Sequence, residues 1–322
     1  MTITTIEDVT RRELIAGVTA LLAAAACGRR EAQGAAQAGT VTVEHDGGVT
    51  EVPVAPERIA ALDGYVDLQT LLALGVDPVL AGVGARLAEG FLAGRLDGIG
   101  QVEDRGVENL ELIAAARPDL ILSAEYDVER YADLSAIAPT VLIDRYGLTV
   151  DEHLRLVGRL LGRSEEAERL IAQHETRVAE VAEVVAGSRL ATMPVGVVSS
   201  TAYDGMFDAF GPSSYGGRTL VAVGVGGVID PGGRSDGDDY AFGSDLSIER
   251  LDVLAPAELI IQHTFPAFGG TTPIEDQPLW ANLPAVAAGA VIEVDSDVWY
   301  QDTALSRLAR LDDIERIAGQ VG

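Results

Sequence analysis

The chain contains no lysine: all 23 of its bases are arginine, set against 50 acids, for a formal charge of -27. A body this acidic repels phosphate backbones, which excludes nucleic acid as a partner. There is one cysteine, so neither a disulfide framework nor a multi-Cys zinc site can form. The four histidines (His45, His153, His174, His263) lie far apart without an H-x-x-x-H pair, which argues against a metal cage built by the protein alone. No apolar run approaches the roughly 18–20 residues of a membrane span. Aromatic residues make up only 5 % of the chain, so wherever they gather is informative. What is present is a 48 % apolar content spread along 322 residues, more than one hydrophobic core usually serves. A two-lobed α/β protein is expected.

The N-terminal segment reads as an address. Thr10-Arg11-Arg12-Glu13-Leu14-Ile15 places an Arg pair before an apolar stretch at 14–26, of signal-peptide length. That stretch ends in Ala24-Ala25-Ala26-Cys27-Gly28, which resembles a lipoprotein signal in which the Cys27 thiol is lipidated and becomes the mature N-terminus. The Arg pair resembles a twin-arginine export signal. Ala24 stands where leucine is more usual, and Glu7, Asp8 and Glu13 leave the leading segment without net positive charge. Residues 1–26 are therefore expected as signal peptide and 27–40 as a flexible tether.

Beyond the tether the chain repeats itself. Thr70-Leu71-Leu72-Ala73-Leu74-Gly75-Val76 recurs as Thr219-Leu220-Val221-Ala222-Val223-Gly224-Val225, each reading as a helix stopped by glycine. Leu110-Glu111-Leu112-Ile113 precedes Pro118 and the apolar Leu120-Ile121-Leu122, just as Ile248-Glu249-Arg250-Leu251 precedes Pro256 and Leu259-Ile260-Ile261. Apolar strands alternating with helices imply mainly parallel sheets covered on both faces. Two similar lobes are expected, at 41–150 and 190–322.

The intervening 151–189 reads as helical. One amphipathic helix spans 151–161 and breaks at Gly162; a second spans 164–186, capped by Ser164 with Glu165 and Glu166 in its first turn. Ala167, Leu170, Ile171, His174, Val178, Val181, Ala182 and Val185 recur at steps of three and four, marking one packed face that includes His174. At 1.5 Å per residue this helix would run roughly 34 Å, enough to brace two small lobes.

Signal, lobe, bracing helix, lobe: this order resembles the class III substrate-binding proteins of ABC importers that take up ferric siderophores, haem and cobalamin. The phrases Pro56-Glu57-Arg58-Ile59-Ala60, Asn109-Leu110-Glu111-Leu112-Ile113, Arg117-Pro118-Asp119-Leu120-Ile121, Ala138-Pro139-Thr140-Val141 and Leu279-Trp280-Ala281-Asn282-Leu283-Pro284 carry the resemblance, over about residues 41–318. It implies a binding protein without catalysis, and it places Glu111 and Glu249 as the two exposed carboxylates, one per lobe, that meet arginines on the permease dimer.

A ligand in such a fold sits where the strands' C-terminal ends face each other. In the first lobe this selects the loops at 63–67, 84–87, 123–128 and 144–148, and in the second those at 199–210, 262–268 and 296–302. They gather Tyr65, Tyr126, Tyr146, Tyr203, Phe207, Phe265, Phe268, Trp299 and Tyr300, able to pack a chelator's apolar linkers. Arg86, Arg145 and Arg218 are the cationic candidates for its oxygens. His263 is a further candidate, for the ligand or for an iron coordination position, whereas Trp280 is expected to pack under a C-terminal helix.

Other motifs fail on inspection. Gly82-Val83-Gly84 and Gly224-Val225-Gly226-Gly227 lack the third glycine of a dinucleotide fingerprint. Asp236-Gly237-Asp238-Asp239 lacks the ligand ladder and closing Glu of an EF-hand and reads as an acidic surface loop. No G-x-S-x-G elbow appears.

The expected function is capture of a ferric siderophore by a monomer lipid-anchored to the outer face of the cell membrane, and delivery to an ABC permease. No intrinsic cofactor is expected; iron arrives already wrapped in its chelator. Three cleft arginines are few for a strongly anionic tricatecholate, which favours a hydroxamate. The alternatives are haem or cobalamin binding, a metal-handling enzyme of related architecture, and an interaction module that no longer transports.

Overall fold

The computed structural model describes residues 39–103, 109–145, 147–232, 244–264 and 270–322. The signal peptide, Cys27, Tyr146, Phe265, Phe268 and the acidic 236–239 loop lie outside these residues, as does the side chain of Arg86.

The first lobe opens with an antiparallel hairpin, β1 (Thr40–His45) and β2 (Gly48–Pro53), which the reading of the sequence does not anticipate. Asp46-Gly47 between alternating Thr and Val is nonetheless a sound hairpin signal. The hairpin docks on the sheet edge, where Thr50 Oγ1 donates to the Thr140 carbonyl at 2.8 Å. The chain then runs through β3 (Ile59–Ala61), α1 (Val66–Ala73), β4 (Leu80–Gly82), α2 (Ala85–Glu89), β5 (Gly100–Val102), α3 (Leu110–Ala116), β6 (Leu120–Ala124), a 3-10 turn (Glu125–Arg130), α4 (Tyr131–Ser135) and β7 (Thr140–Ile143). The five strands β3–β7 pair in parallel in the order β5-β4-β3-β6-β7.

Alternation of side chains divides this lobe's apolar core into two layers. Ile59, Ala61, Leu120 and Leu122 face one cluster with Leu68 and Leu71 of α1, whereas Ala60, Leu62 and Ile121 face Ile113 of α3 and Leu134 of α4. A sheet buried on both faces needs the near-continuous apolar strands seen here.

Two helices join the lobes: α5 (Val150–Leu160) and the 23-residue α6 (Ser164–Ala186). Thr149 and Glu152 form a reciprocal capping box at the start of α5. The start of α6 differs from expectation, since Ser164 is its first helical residue and no side chain caps it. Ala167, Ile171, Val181 and Val185 are buried, and the first two join the first lobe's core while the last two join the second's. His174 sits between them, half-buried; burial and then Arg307 lower its pKa to about 4.

The second lobe comprises β8 (Pro194–Tyr203), β9 (Met206–Ala209), α7 (Tyr215–Ala222), β10 (Gly227–Val228), β11 (Ser244–Ser247), a 3-10 helix (Ile248–Leu254), β12 (Leu259–Thr264), β13 (Thr271–Pro273), α8 (Pro284–Ala287), β14 (Val291–Asp295), α9 (Ser296–Trp299) and α10 (Ser306–Val321). Its main strand order is β11-β9-β8-β12-β14. The β8, β12 and β14 strands are parallel, but on one side β9 pairs antiparallel with β8, and β11 antiparallel with β9. Trp280 packs beside α8 on one face of this sheet, while α10 covers the other, so it does not lie under the long C-terminal helix.

The two lobes share a helix stop. Gly75 follows α1 with φ +72° and Gly224 follows α7 with φ +83°. In both, the next residue's N–H reaches back five positions to close the turn (Val76 to Leu71, Val225 to Leu220).

Candidate ligand-binding cleft

In the first sheet the chain steps from β3 outward to β5, then returns to β6 on the other side of β3. The crevice outside the C-terminal ends of β3 and β6 is therefore the topological switch point, where such sheets bind ligands. Asp63 follows β3 at this place and is 1 % exposed. Its Oδ1 accepts the backbone N–H groups of Tyr65 (3.0 Å) and Val66 (2.6 Å), at the start of α1. Its Oδ2 accepts the Tyr126 hydroxyl at 2.8 Å and pairs with Arg145 Nη1 at 3.0 Å. The ends of three adjacent strands thus converge on one carboxylate.

This cluster orders polar groups beside the cleft. The Arg145 guanidinium lies 5.8 Å from the Tyr65 ring centroid, and its backbone N–H donates to Glu125 at 3.0 Å. Burial, then the Asp63 charge, push the Tyr126 hydroxyl pKa up, so it stays protonated and donates. Arg145 Nη2 also donates to Gln301 Oε1 of the second lobe at 3.4 Å.

The opposite wall is organised by a buried cation. Arg310 of α10 is 1 % exposed and donates to the Val298 carbonyl (3.0 Å), the Tyr215 carbonyl (3.0 Å), Thr219 Oγ1 (2.8 Å) and the Gln301 carbonyl. Asp302 lies 3.6 Å away and offsets the burial that lowers the Arg310 pKa. One planar fork thereby fixes α7, α9 and the loop that leads into α10. The N-terminal turn of α7 approaches so closely that a Cβ on Gly217 would stand 2.0 Å from the Gly211 carbonyl oxygen. Arg218, exposed one turn into α7, holds its guanidinium 5.0 Å from the Tyr215 ring centroid.

Between the walls lies a cavity of about 550 Å3, lined by α1, the start of α5, α7 and the start of α10. Arg145, Arg218 and Arg307 face it, as do Asp151, Glu152 and Asp302, so three cations meet three carboxylates. Arg307 bonds Asp151 between the lobes, and the Thr303 hydroxyl donates to Gln69 at 2.5 Å. Beneath them His153 bridges Thr70 and Asp67, at 3.0 Å each. Burial pushes the Asp67 carboxyl pKa up, against the His153 hydrogen bond that pulls it down.

Of the residues expected at the ligand, Tyr65, Tyr126 and Arg145 come together, and Arg218 stands on the facing lobe. Tyr300 is half-buried with its ring edge-on to Phe210, centroids 6.0 Å apart. Tyr203 bonds Asp245 (2.6 Å) and Asp208 (3.3 Å), on the β9–β11 pair.

Three expectations are corrected. Phe207 is 0 % exposed, because β9 returns into the sheet and turns the ring into the core with Leu246 and Leu251. Trp299 is also 0 % exposed, with its indole N–H donating to Asp313 at 2.9 Å beneath α10. His263 lies within β12 rather than on a loop, stacked on Phe210 at 4.3 Å; burial lowers its pKa to about 3, leaving it a neutral ring packed in the interior. Among the described residues, no three His, Cys, Asp or Glu side chains stand close enough to hold a metal ion.

Asp63, Tyr215, Gln301, Asp302, Arg307 and Arg310 were not singled out from sequence. The signal for Asp63 was available: an acid directly after the apolar Ala60-Ala61-Leu62, at a strand's C-terminal end.

Residues 59–298 match the model of the periplasmic binding protein family. The putative ABC transporter substrate-binding lipoprotein YhfQ of Bacillus subtilis is 30% identical over 276 residues, covering 80% of this chain and 82% of its own. The Fe(3+)-citrate-binding protein YfmC of the same organism is 27% identical, covering 80% and 79%. Among solved structures, the siderophore periplasmic binding protein from the fuscachelin gene cluster of Thermobifida fusca superposes with a TM-score of 0.65 at 28% identity, covering 83% of this chain and 98% of that one. A cleft between two α/β lobes, walled by buried ionic hubs, and a family match across both lobes lead to one statement: the chain belongs to the periplasmic binding proteins, which bind substrates for transport and are not enzymes.

Proposed function

We propose that this protein captures a ferric siderophore between its lobes and delivers it to the permease dimer of an ABC importer. The relatives named for ferric citrate and for a siderophore support a ferric chelate as cargo. The chelate type rests on one observation, the matched charge of the cavity: three arginines against three carboxylates, with Arg145 tied to a buried aspartate. A triply negative tricatecholate complex would find no net positive field there. A neutral ferric trihydroxamate would find hydrogen-bond donors from Arg145, Arg218 and Arg307 and aromatic surface from Tyr215. Iron enters as part of this cargo, and the protein contributes no cofactor of its own. In the same reading the monomer is held at the outer face of the membrane through lipid on Cys27.

Fluorescence titration tests the cargo, since a ferric chelate in the cleft would quench Trp299 and Trp280. The purified protein is titrated with ferric trihydroxamate, ferric tricatecholate, ferric citrate, haem and cobalamin. Saturable quenching at micromolar or lower concentration, tightest for the hydroxamate, is expected. Tighter binding of ferric citrate would transfer the assignment to carboxylate chelates. A response to haem or cobalamin alone removes the siderophore reading.

A further inference from the structure

We infer that Asp63 sets the charge selectivity of the cleft by cancelling the charge of Arg145, so that neutral chelates are preferred over anionic ones. The inference rests on the reading that a ferric chelate binds between the lobes, and it assigns a specificity role to a residue that need not touch the ligand.

The geometry carries the argument. The Asp63 and Arg145 side chains are 2% and 9% exposed, with Oδ2 and Nη1 3.0 Å apart. Water screens such a pair weakly, so the carboxylate subtracts most of the arginine's field before it reaches the cavity. What remains to Arg145 is donor capacity: its Nη2 already points across the cleft, to Gln301 of the second lobe at 3.4 Å. A chelate oxygen competing with Gln301 would meet a hydrogen bond without a net cation behind it. Asp63 is also immobilised from every side, since Oδ1 caps α1 through Tyr65 and Val66 and Oδ2 receives Tyr126. It cannot swing away to expose the arginine when an anion arrives. Arg218, exposed on the facing lobe, has no such buried counter-charge at its guanidinium among the described contacts and cannot by itself set the same preference.

Asp63→Asn tests this. Asparagine keeps an oxygen for the Tyr65 and Val66 N–H groups but turns an amide towards Arg145, which uncovers the guanidinium charge. The affinities for ferric trihydroxamate and ferric tricatecholate are measured by fluorescence quenching at two salt concentrations. The ratio should shift by roughly tenfold or more towards the anionic complex, and the gain should shrink at high salt. Asp63→Asn combined with Arg145→Gln removes both charges and should restore the wild-type ratio. Should Asp63→Asn alone fail to fold, Arg145→Gln against the double variant reads the other side of the cycle: the single should disfavour the anionic complex and the double should recover it. An unchanged ratio in Asp63→Asn, or a shift that persists in the double variant, overturns the inference while leaving chelate binding intact. Failure of every chelate to bind the wild-type protein overturns the functional reading, and this inference with it.

Discussion

Glu111 and Glu249 occupy the same station in the two lobes. Each is the second residue of its helical segment, each is exposed, and each follows a polar residue, Asn109 or Ser247, whose side chain accepts a backbone N–H of the first turn. Both helical segments then lead into a buried strand, β6 or β12. Two carboxylates fixed on rigid elements, one per lobe, suit a receptor that presents a fixed charge spacing to a partner.

Reversing both charges, Glu111→Arg with Glu249→Arg, should leave chelate affinity within about twofold, because neither side chain lines the cleft. Importer-dependent uptake should fall at least about tenfold, and each single variant should fall between. Normal uptake by the double variant would remove these glutamates from docking.

Arg310→Met should cost about 3–5 kcal/mol in urea unfolding, since it strands the Val298, Tyr215 and Gln301 carbonyls that one guanidinium serves. Lysine should not rescue it, because a point ammonium cannot reach these acceptors together. A loss under about 1 kcal/mol would show that the second lobe's wall is held by packing instead.

Asp208 faces Asp245 across the β9–β11 pair, and burial, with that neighbour, raises its pKa to about 7. A carboxyl raised in the folded state adds stability that is complete below its unfolded value near 4 and fades as pH rises through the folded one. The melting temperature of Asp208→Asn relative to wild type should therefore climb between pH 5 and pH 8. A difference that stays flat across that window refutes the raised pKa of Asp208.

His263 behaves oppositely, since its pKa is lowered to about 3 in the fold. Its stabilisation is full above the unfolded value near 6.5 and falls as the medium is acidified towards 3. His263→Phe should flatten that acid loss and leave chelate affinity unchanged. Weakened binding in a folded His263→Phe protein would return this residue to the site.

The parts legible in the sequence were those written in local pattern. The steps of three and four along α6 name residues that are all wholly or partly buried, and the glycines at 75 and 224 mark helix stops because a left-handed turn leaves its trace in composition. Strand-end loops could likewise be located, which brought Tyr65, Tyr126 and Arg145 together, with Arg145 on the cavity wall. Direction and partnership could not be read. Phe207 and Trp299 stand in chosen loop ranges, yet an antiparallel return and a one-turn helix point them inward. Asp63 finds Arg145 82 positions away, and Arg310 gathers acceptors across 95, so nothing in either neighbourhood announces the bond.

Under the proposed function, the strut between the lobes bears on how an importer would be supplied. With α6 packed into both cores, and Arg177 joining it to Asp312 and Glu315 of α10, wide opening would disrupt packing in both lobes, so an unladen receptor would keep nearly the outline of a laden one. Empty copies should then compete for the same transporter mouth. Discrimination has to come from small changes in spacing or lifetime at the membrane, and overproducing the receptor without cargo should slow iron entry.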